Sequence, residues 1–206
     1  MKNITIILIV SATMVLPSCG SKKSSDEKQA REKSPTTEFK KDGVVTIQQQ
    51  SEADTLKGSL KAEAIGKIGN TEIRISYYSP AMRDRIIWGG LVAYDKVWVT
   101  GAHKATSIQF NNDLEIGGKV IPPGKYALFT IPGKEEWIII INKNWQQHLT
   151  DDYNAKEDVV RIKVKPEKER GNQERLRYVI EGVSNSGGEV VVYWEKLEIS
   201  LPFNVR

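Results

Sequence analysis

The side chains best suited to binding or catalysis are concentrated in one stretch of the chain, residues 79–106. This stretch breaks the rhythm of short strands and turns around it, and it is long for a connection within a compact domain. Long structured loops often carry function. Arg83 and Arg85 could grip a carboxylate or a phosphate through paired N–H donors. The favoured alternative is that they pair with local acids such as Asp84 or Asp95 and pin the loop.

The aromatic side chains of this loop could bind a sugar ring or a hydrophobic ligand. Trp98 lies between two valines, as a strand residue facing the core would, and we expect it in the core. Trp88 is followed by Gly89-Gly90, and glycines let a ligand approach the backbone closely. Trp88 is therefore the better aromatic candidate, with Tyr94 in the same loop.

His103 and His148 are the only histidines of the chain. A catalytic zinc ion generally needs three protein ligands, so two distant histidines would need a carboxylate to complete the set. We therefore predict no metal and no cofactor, and we expect His103 to be a hydrogen-bonded loop residue. The sequence has no Gly-x-Ser-x-Gly elbow and no phosphate-binding glycine loop, so it predicts no catalytic residue. The candidate ligand-binding residues are Arg83, Arg85, Trp88, Tyr94, Thr100, His103 and Trp145.

The sequence of this loop is the first of several motifs that follow one another along the chain. Residues 79–106 are followed by an Ile116-Gly117-Gly118 turn, by the run Pro-Gly-Lys-Tyr-Ala-Leu-Phe-Thr-Ile-Pro-Gly at residues 123–133, and by Glu136-Trp137. Together these motifs resemble the bacterial envelope family known as domain of unknown function 2911, and the resemblance covers most of residues 58–206. That family has no established activity, so the resemblance implies no catalytic residues.

The chain departs from the usual pattern of that family at four loop positions. The family usually has arginine where this chain has Val99, and asparagine where it has His103. Glycine is usual at the positions of Asp84 and Asp95. If that arginine and that asparagine belong to a functional site, the site is altered in this chain.

Outside the loop, short runs of β-forming residues recur between turn residues. Gly69-Asn70 separates two alternating runs, residues 60–65 and 71–77, which predicts a hairpin. Residues 137–141 are continuously apolar, as in a strand buried on both faces. About ten strands, with at most one short helix within residues 145–158, predict an all-β fold. The expected architecture is an antiparallel β-sandwich, jelly-roll-like, over residues 57–206.

The N-terminal residues are typical of an export signal. Residues 4–16 are apolar, but this run of about 13 residues is shorter than the roughly 20 that a helix needs to cross a bilayer. It ends in Leu16-Pro17-Ser18-Cys19-Gly20, which resembles the lipobox of bacterial lipoproteins, where the cysteine is acylated and becomes the new N-terminus. We therefore predict a signal peptide at residues 1–18 and acylation of Cys19, by palmitate among other fatty acids. Since Gly20 is not the aspartate that can retain such proteins in the inner membrane, we expect anchoring to the outer membrane, at its periplasmic face or at the cell surface.

Cys19 is the only cysteine, so its lipidation would leave no thiol for a disulfide, a metal or a nucleophile. Residues 19–56 form the predicted tether, whose part before residue 44 is rich in Ser, Lys, Glu and Thr, a composition that disfavours folding. From Val44 onward the chain holds 22 basic and 21 acidic residues, so the formal charge of +4 gives no electrostatic footprint for a nucleic acid.

The sequence thus favours a non-catalytic binding or interaction module, held on the membrane by its lipid anchor. Its expected partner at the loop is a small ligand, a glycan or another envelope protein, and no nucleic acid is expected. Two alternatives stay open. One is a hydrolase acting on envelope polymers or glycans, with His103, Arg83 and a carboxylate in its site. The other is a purely structural envelope component.

Overall fold

The computed structural model describes residues 38–39 and 43–206, and the regular secondary structure of this part of the chain is almost entirely β-strand. The prediction of an all-β, antiparallel, sandwich-like fold is confirmed. The one helical element of the described residues is a 3-10 turn, Ala155–Glu157, within the stretch where a short helix was expected. The strands are β1 (Glu38–Phe39), β2 (Val45–Thr46), β3 (Leu60–Ile68), β4 (Thr71–Ser79), β5 (Ser107–Phe110), β6 (Leu114–Ile116), β7 (Lys119–Ile121), β8 (Gly124–Ile131), β9 (Trp137–Asn142), β10 (Asp158–Val164), β11 (Glu167–Gly182) and β12 (Gly187–Val205).

The larger sheet has eight strands in the order β1-β2-β3-β4-β5-β8-β9-β10. From β3 onward the neighbouring strands are antiparallel, whereas β2 and β3 are parallel. The Gly69-Asn70 turn joins β3 to β4 as predicted. Residues along β4 alternate between the two faces of the sheet, and Ile73, Ile75 and Tyr77 on the inner face are buried. This alternation is the pattern of a sheet with one face towards the core.

The smaller sheet has the order β11-β12-β6-β7, and its inner face packs against that of the larger sheet. Most of it is the long hairpin of β11 and β12. Between β5 and β8 of the larger sheet, the chain forms the β6–β7 hairpin, which turns at Gly117-Gly118. In this hairpin β6 pairs with β12 of the smaller sheet. Large buried side chains from both sheets fill the space between them, such as Ile75 and Trp137 from one and Leu176 and Trp194 from the other.

The folded part of the chain extends further towards the N-terminus than the predicted boundary at residue 57. Residues 44–56, which the sequence places in the tether, lie against the domain, and Val45 pairs with Ala62 of β3. Val44, Val45 and Ile47 are buried. Composition contributes to this, because these three side chains supply the apolar surface that the Ser-, Lys- and Glu-rich residues before them lack.

The loop between β4 and β5 covers part of the outer face of the larger sheet. Trp98 holds the loop to β8, because its backbone exchanges two hydrogen bonds with that of Thr130, at 2.8 and 3.0 Å. A second apolar cluster forms under this cover, and its buried members are Val99, Ala105, Ala127, Phe129 and Ile140. Strands β8 and β9 are therefore packed on both faces, which explains the nearly continuous apolar sequence of β9.

Residues 1–37 and 40–42 lie outside the described part of the chain, and with them the predicted signal peptide, Cys19 and most of the predicted tether. Within the described part, no helix has the length and apolar character needed to span a bilayer.

Candidate functional site

The two arginine candidates fasten the loop between β4 and β5 by donating to backbone carbonyls. Arg83 Nη2 lies 2.5 Å from the carbonyl oxygen of Leu56. Arg85 donates to two carbonyls of its own turn, at 2.9 and 2.5 Å. The arginines thus pin the loop, as the favoured interpretation has it, but their partners are carbonyl oxygens and not the carboxylates of Asp84 or Asp95.

Trp88 lies in a group of four tryptophans at the edge of the core. Its ring meets that of Trp137 edge-on, with 4.8 Å between the ring centroids. Trp98 stacks on Trp194 at 5.8 Å with an angle of 18° between the planes, and so belongs to the core, where we expected it. Trp88 also meets Trp98 and Trp194 edge-on. Its ring is therefore occupied with neighbouring indoles instead of forming an open platform.

Tyr94 and Thr100 stabilise the shape of the loop. A Cβ atom on Gly89 would lie 2.9 Å from the ring of Tyr94, so the glycine makes room for this ring rather than for a ligand. Thr100 is fully buried, and its Oγ1 lies 2.9 Å from Oγ1 of Thr130. Its carbonyl accepts a hydrogen bond from the hydroxyl of Tyr178 at 2.8 Å. Burial raises the pKa of the Tyr178 phenol well above its ordinary value, so this hydroxyl stays a donor.

His103 and Trp145 lie at a cleft on the outer face of the larger sheet. The ring of His103 meets that of Tyr78, a residue of the cleft, edge-on at 5.1 Å between centroids. Trp145 lines the cleft, and Nζ of Lys125 lies 4.1 Å from the centre of its ring, a cation–π contact that holds the indole in place. Trp145 is thus the candidate that lines the cleft, and His103 packs against one of the lining residues.

The cleft has a volume of about 460 Å³, within the range of small-molecule sites. Residues of β3, β4 and β5 line one side of it, and two paired loop segments line the other. In this pair, the amide of Ala105 donates to the carbonyl of Gln147 at 3.1 Å, and the amide of Leu149 donates to the carbonyl of His103 at 2.7 Å. The lining residues are Lys61, Ser76, Tyr77, Tyr78, Lys104, Ala105, Ser107, Trp145, Gln146, Gln147 and His148.

The lining of the cleft is basic. It contains the ammonium groups of Lys61 and Lys104 but no carboxylate, and neither lysine forms an ion pair within the described part of the chain. His148 differs, because its Nδ1 lies 3.0 Å from Oδ2 of Asp151 and both side chains are exposed. The two lysines therefore present positive charge at the cleft.

Gln147 contributes a hydrogen-bonding group that is not satisfied. The residue is 5% exposed, and its Nε2 donates to the carbonyl of Asn144 at 2.7 Å, which fixes the orientation of the amide. Its Oε1 is buried and accepts no hydrogen bond within residues 43–206. A buried acceptor without a donor costs roughly 1–3 kcal/mol. Such groups call for an explanation in a folded protein.

Lys61, Tyr78 and Gln147 are absent from the candidates chosen on the sequence. One signal could have found the first two, because the two-residue turn at Gly69-Asn70 sets a register that pairs Lys61 directly with Tyr78. Directly opposed residues of an antiparallel pair project from the same face. Gln147 enters the cleft through the pairing of two loops, and no local pattern in the sequence announces that pairing.

The structure does not gather the residues named for a hydrolase. His103 has no carboxylate partner among the described residues, and Arg83 does not line the cleft. The histidine that does have a carboxylate partner is His148. Within the described ranges there is also no group of three or more His, Cys, Asp or Glu side chains that could hold a metal ion.

Comparison with known proteins identifies the family of this domain. Residues 59–203 match the model of a family described as "Protein of unknown function (DUF2911)". No curated protein matches the chain, and no solved structure matches it. Because the matched residues make up most of the chain and include the strands from β3 onward and the cleft, the chain belongs to the DUF2911 family.

Proposed function

We propose that the chain is a non-catalytic binding module of the cell envelope that holds a small ligand in the outer-face cleft. The observation that carries this proposal is the lining of the cleft. Lys61 and Lys104, which form no ion pair within the described residues, line one concave space together with Trp145, whose indole ring Lys125 contacts. Gln147 also lines this space, and its buried Oε1 accepts no hydrogen bond within residues 43–206. Buried acceptors in folded proteins normally have a hydrogen-bond partner, so the Gln147 acceptor at a cleft with these side chains favours a ligand.

The envelope location in this proposal rests on the N-terminal sequence. The apolar run at residues 4–16 supports export, and Ser18-Cys19-Gly20 at its end supports acylation of Cys19. Gly20 supports the outer membrane as the destination. In this arrangement the acylated N-terminus holds the domain at the membrane, and the domain presents the cleft to small molecules or glycans of the envelope.

The proposal is tested by thermal unfolding of the purified full chain in detergent, with and without the low-molecular-weight fraction of an envelope extract. A ligand that binds the folded state alone raises Tm, and we expect such a rise. Gln146 is an exposed residue of the cleft, so Gln146→Trp should obstruct the cleft at little cost to folding and abolish the rise. Gln109→Trp, at an exposed position of β5 outside the cleft, is the matched control and should retain it.

A rise in Tm that Gln146→Trp retains would place the ligand elsewhere on the molecule. The absence of any rise would favour the purely structural role.

A second candidate function, hydrolysis of an envelope polymer or glycan, is favoured by one contact. His148 lines the cleft, and Asp151 lies 3.0 Å from its Nδ1. A histidine oriented by a carboxylate can take a proton from an attacking water molecule. Incubation of the chain with peptidoglycan fragments and envelope glycans, followed by mass spectrometry, tests this. Cleavage that disappears in His148→Ala would replace the binding proposal, and an absence of cleavage would leave that proposal in place.

A further inference from the structure

The two lysines of the cleft favour an anionic ligand of modest charge. Lys61 comes from β3 and Lys104 from the loop that ends at β5, so an anion in the cleft meets an ammonium group from each of two separate elements. The lining includes no arginine, and no helix N-terminus reaches it, because Ala155–Glu157 is the one helical element described. Phosphate sites typically use such groups or a nest of backbone amides. A carboxylate fits two point charges without them.

The polar neutral groups of the cleft favour a ligand that carries hydroxyl groups. Gln147 Oε1 needs a hydrogen-bond donor, which a carboxylate alone cannot provide. The hydroxyl of Ser107 makes no hydrogen bond within the described residues and can donate or accept. The exposed amide of Gln146 offers both a donor and an acceptor. A hydroxyl group is the ligand group that serves all three.

The aromatic residues of the cleft favour a ligand that contains a ring. Trp145 is half-buried and Lys125 already fixes its orientation, so little conformational entropy is lost when a ligand packs against it. Tyr78 lies on the strand side of the same cleft. Sugar rings have apolar C–H surfaces and polar edges, which suits an amphipathic wall of this kind.

From these three properties together we infer that the ligand of the cleft is an acidic sugar, a polyhydroxylated ring that carries a carboxylate. The carboxylate lies between Lys61 and Lys104, a hydroxyl group donates to Gln147, and the ring packs against Trp145. This inference rests on the proposed binding function and names the chemical class of its ligand.

The inference is tested by calorimetric titration of the purified full chain with matched sugars. Glucuronic acid and galacturonic acid are compared with glucose and galactose, which have the same rings without the carboxylate, and with glucose 6-phosphate. We expect each acid to bind roughly tenfold more tightly than its neutral counterpart. The affinity of the acids should fall as salt is added, and that of the neutral sugars should not.

Lysine variants locate the carboxylate. Lys61→Met and Lys104→Met should each weaken binding of the acids roughly threefold, since the two together account for the tenfold preference, and leave the weak binding of the neutral sugars unchanged. Lys134→Met, at an exposed position in the turn between β8 and β9, is the matched control and should bind like the parent protein. Circular dichroism of each variant checks that the fold is intact.

Two sets of outcomes separate this inference from the proposed function. Equal binding of acidic and neutral sugars, tighter binding of glucose 6-phosphate, or no binding of any sugar would overturn the acidic-sugar class. The proposed function would survive each of these results if the envelope fraction still raises Tm in a way that Gln146→Trp abolishes. If that rise is absent as well, both are overturned.

Discussion

Arg175 of β11 is a fully buried arginine whose five N–H donors are all used. Nε and Nη2 bind the two carboxylate oxygens of Asp54, at 2.5 and 2.8 Å. The remaining donors reach the carbonyls of Leu56, Gly58 and Ser79 at 2.8 to 3.1 Å. One guanidinium thus joins the N-terminal segment to β4 and to β11. It explains why residues that the sequence places in a tether lie against the domain.

The carboxylate of Asp54 is therefore predicted to contribute strongly to stability. Asp54→Asn leaves the buried guanidinium without its counter-charge, and removal of one partner of a buried ion pair typically costs 3–5 kcal/mol. Because the Asp54 side chain keeps some contact with water, we expect the free energy of unfolding to fall by about 3 kcal/mol, the lower end of that range. Urea denaturation measures it. Glu52→Gln, an exposed acid on the same segment, is the control, and an equal loss there would contradict the assignment.

The same ion pair predicts a pH dependence at the acidic side. Hydrogen bonds from Arg175 hold the pKa of the Asp54 carboxyl below its ordinary value. The unfolded chain therefore takes up this proton first, so the stabilisation is complete above about pH 4 to 5 and is lost as the pH falls through the lowered pKa. The difference in unfolding free energy between the parent protein and Asp54→Asn should shrink between about pH 6 and about pH 2. A difference that stays constant over this range would show that the carboxylate charge is not the source of the stability.

Among the elements, the loop between β4 and β5 depends on residues with left-handed backbone conformations. Asp84, Asp95 and His103 have φ values of 58°, 59° and 62°. Glycine, asparagine and aspartate tolerate this region better than other residues. The backbone at these three positions would also accept glycine or asparagine, whereas Val99 is buried in the second apolar cluster.

Substitutions at Asp95 test this conformational role. The Asp95 side chain is exposed, and its amide donates to the carbonyl of Pro132 at 2.8 Å. Asp95→Gly should change the free energy of unfolding by less than about 1 kcal/mol, because relief of the left-handed conformation offsets the added freedom of the unfolded chain. Asp95→Val should lower it by roughly 1–2 kcal/mol, because a β-branched side chain clashes there. Chemical denaturation compares them with Lys96→Val, an exposed neighbour with no positive φ. A loss at Asp95→Val no greater than at Lys96→Val would contradict this view.

The elements that could be predicted from the sequence are those whose signals are local. The Gly69-Asn70 and Gly117-Gly118 turns, and the apolar run of β9, each lie within a few residues of the structure they specify. The cleft and the N-terminal segment depend instead on distant contacts. Asp54 and Arg175 are separated by 121 positions, and two loops far apart in sequence pair to build the wall of the cleft. A pattern of neighbouring residues carries no information about such contacts.

At the scale of the whole molecule, the cleft lies where it does because loops cover only part of the outer face of the larger sheet. Strands β8 and β9 are packed on both faces, between the core and the second apolar cluster. On β3 the outward side chains, such as Lys61, Lys67 and Ile65, are exposed, and this strand keeps the alternating pattern that β9 lacks. The cleft lies at the transition, where side chains of the open strands meet the loops that cover the rest. A rigid sheet thereby presents polar groups at fixed positions, which lowers the entropic cost of binding.

Attachment of the whole molecule to a membrane is predicted to depend on Cys19. The apolar run of residues 4–16 is too short to span a bilayer, whereas acyl chains contribute about 0.8 kcal/mol of membrane affinity per buried CH₂ group. Cys19→Ser should therefore abolish labelling by a palmitate analogue and reduce recovery in the membrane fraction. Ser18→Ala keeps a small residue before the cysteine, and this control should remain labelled and membrane-bound. Because Cys19 is the only cysteine of the chain, the substitution removes no thiol from the folded domain, and Tm should not change. Retention of unlabelled Cys19→Ser in salt-washed membranes would move the anchor to another part of the chain.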